Sequence, residues 1–208
     1  MEKIKISRAD NKQTFDGLVY CAKARGKFDD RFENALTLLK VQGDSSIATD
    51  GHRVHTAKTL DIPDGLYTYE KKGNAITLTP GNECKYPELD MIPKTFVHTV
   101  KVDRKELIHR MKLAKITNNV RYVTTELNFN AKLEIRTSAP DLGTLETTLE
   151  TQGTVKPSLK INLNTKYILD ALTSFKDKVI EIGLQSGSDF PVMFIGVNQT
   201  ALIMPCRF

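Results

Sequence analysis

Long apolar runs are missing from this chain. None of about 18 residues or more occurs, which argues against a transmembrane helix. The opening MEKIKISRAD has no apolar core of signal-peptide length, so export by that route is not expected and a cytoplasmic location is. Cysteine is scarce: Cys21, Cys84 and Cys206 are an odd, scattered set with no CxxC pair. That argues against a disulfide framework and against a structural zinc site, and it fits a reducing compartment. No GxSxG nucleophile motif is present, nor a phosphate-cradling GxGxxG, GxxxxGKS or GxxxxGKT loop. No catalytic residues, metal site or cofactor are therefore expected.

What is present is ordinary globular composition, 40% hydrophobic and 26% charged, on 208 residues. This is enough chain for one large domain or two small ones with a real core. The net charge of +5 is unevenly placed. Between Lys101 and Arg121 stand seven basic residues against Asp103 and Glu106, so this one segment equals the excess of the whole chain. An anionic partner is the natural inference.

Residues 11–25 space Phe15, Leu18, Val19 and Ala22 as one face of a helix, with Lys23, Arg25 and Lys27 at its end. Residues 34–42 and 45–58, punctuated by Gly43 and Asp50-Gly51, read as a β-meander, and 63–82 as a further hairpin. YPELDMIPK (86–94) holds two prolines and reads as an extended connector between domains 1–94 and 95–208. A strand at 96–101 leads to Asp103, an N-cap with Glu106 three residues on, which predicts a helix over 103–116 facing inward through Leu107, Ile108, Met111 and Ala114. Strands are predicted near 121–130, 132–138, 144–151 and 158–163. Asn164 then caps a third helix with Tyr167, Ile168, Ala171, Leu172 and Phe175 inward, and three strands end the chain. Helices set apart among antiparallel strands make the class α+β.

Two clusters carry chemistry. Asp50, His52 and His55 could serve acid–base or metal chemistry, but residues 52 and 55 of an extended strand face opposite sides, so a shared metal needs a bend. Asp50-Gly51 reads as a hairpin turn in any case. Lys105, His109 and Lys112 recur at i, i+4, i+7 opposite Leu107 and Met111, flanked by Arg104 and Lys115. Such a face is either simply solvated or neutralises the phosphates of a nucleic acid without reading its bases.

Four stretches together resemble the bacterial sliding clamp, the beta subunit of the replicative DNA polymerase. IATDGHRV (47–54) resembles the hairpin of its middle domain, and YPELDMIPK the following linker, one residue shorter. INLNTKYILDAL (161–172) resembles the entry to a helix of the last domain, and ALIMPCRF the ending of that family. Beside these four, RFENALTLLK (31–40) also resembles the strand before the hairpin, with Arg31 leading it. The clamp's first domain has no counterpart, and between Leu60 and Tyr86 a hairpin stands where the family has a second helix. The resemblance implies antiparallel sheets with helices packed on one face, and a non-enzymatic processivity factor. It also implies a pocket for short apolar peptides of polymerase and clamp loader. By motif its wall includes Thr49, His52, Arg53, Val54, Pro87, Met91, Leu202, Met204, Pro205 and Cys206. Duplex DNA is the other expected partner, held by Arg104, Lys105, His109, Lys112 and Lys115, with Lys12, Lys23 and Lys27 second. A homo-oligomeric ring of three or four copies is implied, and a chain of this size suggests a phage or other mobile element. Two readings compete with this one: a module that binds clamp-binding peptides without encircling DNA, and a metal-dependent hydrolase built on Asp50, His52 and His55.

Overall fold

A computed structural model describes residues 2–27, 35–81, 84–89, 92–118 and 123–207. Arg31, Met91 and Arg121 lie outside these. The chain divides into two compact units, residues 1–92 with 198–201, and residues 93–197 with 202–208.

In the first unit, β1 (Ile4–Ser7) leads into α1 (Lys12–Ala22). Asn11 caps this helix, its side chain accepting the Thr14 N–H at 3.0 Å. Then come β2 (Leu39–Gln42), β3 (Ser45–Thr49), β4 (Arg53–Lys58), β5 (Gly65–Lys72) and β6 (Ala75–Pro80). The strands form an antiparallel sheet in the order β1-β6-β5-β2-β3-β4. Residues 198–201 belong to this unit, and the Lys58 N–H donates to the Asn198 carbonyl at 2.9 Å. The predicted hairpin between Leu60 and Tyr86 is β5–β6. The segment Ala35–Thr37, predicted extended, is a 3₁₀ turn, and the strand begins only at Leu39.

Helix α1 lies on β3 and β4 through Phe15, Leu18, Tyr20 and Cys21, all buried. Val19 and Ala22, predicted inward, are only half-buried. Gly17 permits the close approach: a Cβ there would stand 3.0 Å from Thr59 Cγ2 and 3.2 Å from the Lys58 carbonyl oxygen. Burying side chains such as Leu18 and Phe15 stabilises by about 1.5–3 kcal/mol each before entropy is set against it.

In the second unit, β7 (His98–Asp103) pairs along its length with β12 (Val179–Leu184), and β12 with β13 (Val192–Ile195). A separate sheet orders β10 (Gly143–Glu150), β9 (Lys132–Ala139), β8 (Thr124–Phe129) and β11 (Leu159–Asn164), each antiparallel to its neighbour. Burial alternates strictly along β9, as period-two side chains require of a half-buried strand. Helices α2 (Arg104–Ile116) and α3 (Thr165–Leu172) pack against each other. Both caps are as predicted: Asp103 accepts the N–H groups of Lys105 and Glu106 at 2.8 and 3.0 Å, and Asn164 those of Lys166 and Tyr167 at 3.0 and 3.3 Å. Leu107, Met111 and Ala114 of α2 and Ile168, Ala171 and Leu172 of α3 are fully buried, while Tyr167, predicted inward, is half-buried. The last strand, β14 (Gln199–Ile203), stops before Met204.

Candidate functional site

The turn between β3 and β4 is built by its own polar side chains. Asp50 accepts the backbone N–H groups of His52 and Arg53 at 3.0 and 3.1 Å. The Thr49 hydroxyl donates to the Arg53 carbonyl at 2.7 Å and accepts the Gly51 N–H at 3.0 Å. Gly51 holds φ +86°, which a side chain would resist.

Arg53, expected by motif in the pocket wall, uses its fork within the first unit: its Nε donates to Asp50 Oδ2 at 2.9 Å and its Nη2 to the carbonyl of Lys23, at the end of α1. With only 5% of it exposed, Arg53 clips helix to hairpin. His55 points inward, fully buried, with its ring stacked on Tyr20 at 4.3 Å and Nδ1 3.1 Å from the Tyr20 carbonyl. His52 is exposed. The two histidines therefore diverge, as strand geometry requires, and no metal-holding group of three or more His, Cys, Asp and Glu occurs among the described residues. This removes the geometric basis of the hydrolase reading.

Of the other expected wall residues in the first unit, Thr49 and Val54 are buried and Pro87 is half-buried. Tyr86, beside Pro87, is tucked in. Burial pushes its phenol pKa up, the neighbouring Cys21 adds to that, and the Thr49 backbone amide acts the other way. The connector and the hairpin thus meet within this unit. Met91 lies outside the described residues.

In the second unit Leu202 is buried, and Met204, Pro205 and Cys206 are half-exposed. The Cys206 N–H donates to the Asn162 carbonyl at 2.8 Å, fastening the tail to β11. Burial raises the Cys206 thiol pKa. An open depression of about 460 Å³ is lined by Lys160, Asn162, Ser188, Asp189, Cys206 and Arg207. Of these, the motif had singled out only Cys206. The sequence signal for Arg207 was its place in ALIMPCRF; Lys160, Ser188 and Asp189 carry none.

On α2, Lys105, His109, Lys112 and Lys115 are all exposed, opposite the seam of Leu107, Met111 and Ala114. Glu106 is met by Arg110 at 3.7 Å, one turn on. Arg104 stands apart: Nε donates to the Asp177 carbonyl at 2.6 Å and Nη1 to that of Leu172 at 3.3 Å, so its guanidinium secures the end of α3. In the first unit Lys12 and Lys27 are exposed and Lys23 is half-exposed. Asp16, one helical turn after Lys12, binds Arg8 at 3.3 Å. The α1 face is therefore mixed in sign where the α2 face is nearly pure.

Residues 90–207 match the family model for the C-terminal domain of the DNA polymerase III beta subunit. The chain is 32% identical over 133 residues to a beta sliding clamp of Synechocystis sp., an alignment covering 60% of this chain and 33% of that one. It is 25% identical over 118 residues to a beta sliding clamp of Staphylococcus aureus, covering 54% and 30%. Among solved structures, a DNA polymerase sliding clamp from Pseudomonas aeruginosa superposes over 99% of this chain and 66% of its own, with TM-score 0.79 and 20% identity. One from Bacillus subtilis covers 100% and 64%, with TM-score 0.77 and 20% identity. The matched part is thus about a third of the relatives' length, and about two thirds of these solved chains.

Proposed function

The chain belongs to the DNA polymerase III beta subunit family, and from that membership we propose that it is a non-enzymatic, clamp-like processivity factor acting in the cytoplasm. It holds duplex DNA without reading sequence and tethers replication proteins through short apolar peptides. The observation that carries the DNA role is the exposed stripe Lys105–His109–Lys112–Lys115, backed by a fully buried apolar seam. Ammonium groups on a rigid helix displace counterions from phosphates and make no directional demand on base edges. Contact of this kind is weak and salt-sensitive, and it tolerates movement along the duplex.

The peptide role is proposed for each unit by itself: for the half-buried Pro87 and the exposed His52 in the first, and for the half-exposed Met204 and Pro205 in the second. The buried Val54 and Leu202 support these residues from beneath, and Arg53 contributes indirectly, by fixing the hairpin that carries His52. Self-association of the chain is part of the same reading.

Two duplexes of unrelated sequence, titrated at several salt concentrations, test the DNA role. Equal affinities that fall together with salt are expected, and a strong preference for one sequence contradicts it. A fluorescent peptide bearing adjacent Leu and Phe tests the tether: binding should be lost in Met204→Glu while the DNA affinity stays. Among the described residues, no helix is long and apolar enough to cross a membrane.

A further inference from the structure

One member of the α2 stripe differs in kind from the rest. Lys105, Lys112 and Lys115 carry ammonium groups, whereas His109, exposed in the middle, carries an imidazole. That is the side chain whose charge ordinarily changes between pH 5 and 8. Helical rise sets it about 6 Å along the axis from Lys105 and about 4.5 Å from Lys112. All three project opposite Leu107, Met111 and Ala114, whose burial fixes the helix in place. A phosphate backbone drawn along the two ammonium groups therefore passes the ring.

Among the described residues no carboxylate is bonded to His109. On α2 itself Glu106, three residues before it, is met by Arg110 at 3.7 Å. Asp103, at the end of β7, is occupied by the N–H groups of Lys105 and Glu106, and β7 otherwise brings the exposed Lys101. Helix α3, packed on α2, carries Lys166 and Asp170, which meet each other at 2.6 Å. After α3, Asp177 accepts the Val197 N–H at 3.1 Å. Strands β9 and β10 turn Leu133, Ile135 and Leu149 inward, so alternation sends their charged side chains to the far side of the sheet. There Lys132 meets Glu150, Arg136 meets Glu146, and Glu134 accepts from Asn128 and Asn130. The charges nearest the ring along the stripe are thus cations, and the anion it lacks is one the ligand brings.

We propose, resting on the DNA role assigned above, that His109 makes the hold on duplex DNA proton-linked, tightening it as pH falls and loosening it as pH rises. Beside a phosphate the charged imidazolium is favoured over the neutral ring, so binding takes up a proton. A group whose charged form is favoured in the complex in this way adds its full affinity at low pH. That contribution is lost as pH rises and the ring gives up its proton in the complex. The stripe then counts four cations when the ring is charged and three when it is neutral. One neutralised phosphate adds about 0.9 to the salt slope, which is about eightfold in affinity at about 0.1 M salt. Most of that change falls between about pH 6 and pH 8, the range in which lysine and the carboxylates keep their charge.

Fluorescence anisotropy with one labelled duplex, at about pH 6 and about pH 8 and at several salt concentrations, tests it on the wild type, His109→Gln and His109→Lys. The wild type should bind about fivefold more tightly at the lower pH, with a steeper salt slope. His109→Gln should keep the weaker affinity at both pH values and His109→Lys the tighter one, each without the response. Both variants retain His52, His55 and His98, so a response that survives in His109→Gln belongs to those residues and overturns the proposal. A His109→Lys protein that binds no more tightly than the wild type at the higher pH overturns it as well. Calorimetry in two buffers of unlike ionisation enthalpy should register proton uptake on binding for the wild type alone. The side chain is exposed, and circular dichroism at both pH values confirms that all three proteins are folded. Salt-dependent binding that is equal at the two pH values leaves the DNA role standing and overturns the linkage alone. No binding at either value removes both.

Discussion

Replacing Lys105 and Lys112 together by Gln removes two charges from the centre of the α2 stripe. Seven residues at about 1.5 Å each set them about 10 Å apart along the helix. Both are exposed, and among the described residues neither forms an ion pair, unlike Arg110 with Glu106 or Lys166 with Asp170. If each neutralises one phosphate, each contributes about 0.9 to the slope of log affinity against log salt, so the double variant should lose about 1.8. Across a fourfold rise in salt, its affinity should then fall by about twelvefold less than that of the wild type. Fluorescence anisotropy with a labelled duplex at four salt concentrations reads this directly. The matched control is Lys71→Gln with Lys72→Gln at the tip of the β5–β6 hairpin, which changes net charge equally on exposed residues. An equal loss of slope in the control would show that binding follows net charge and not the α2 face, and an unchanged slope in the Lys105/Lys112 variant would refute the assignment outright.

Arg53→Ala should cost about 2–3 kcal/mol in chemical denaturation, because it strips a partner from the half-buried Asp50 carboxylate and from the Lys23 carbonyl. Arg53→Lys should recover only part of this, since a single ammonium cannot replace the fork. Asp103→Ala, which removes the α2 cap, should cost about 1 kcal/mol by the same measurement. Hydrogen bonds from Asn130 and Asn128 hold the Glu134 carboxyl below its ordinary value of 4.5. Its ionised form therefore adds stability above that value, and this is lost as pH falls through the lower folded pKa. Glu134→Gln should flatten the acid limb of a thermal-melt series, and an unchanged limb would contradict the sign.

The helices were legible because each announces itself locally. Asp103 with Glu106, and Asn164 before an apolar stripe, specify a start and an inward face within a few residues. The β3–β4 turn was equally open to reading, since Asp50-Gly51 leaves the backbone few choices. What stayed hidden was the destination of long polar side chains. Arg53 reaches back 30 residues to Lys23, and Arg104 reaches forward 68 and 73 residues to Leu172 and Asp177. Periodicity reports which side of an element is buried, not which distant carbonyl lies across from it. The sequence placed Arg53 in a pocket wall and Arg104 beside a phosphate-binding stripe, and in the fold each guanidinium ties distant backbone carbonyls. The closeness of α1 to β4 was hidden for a related reason: Gly17 looks like a weak spot in a helix until Thr59 is found against it.

Tethering itself is tested most directly by product length in single-encounter primer extension on a primed circular template, using the replicative polymerase and loader of the same cell. Longer products with added wild-type protein, and no lengthening with the Lys105/Lys112 variant, are the predicted result. Products unchanged or shortened by the wild type would contradict a processivity role.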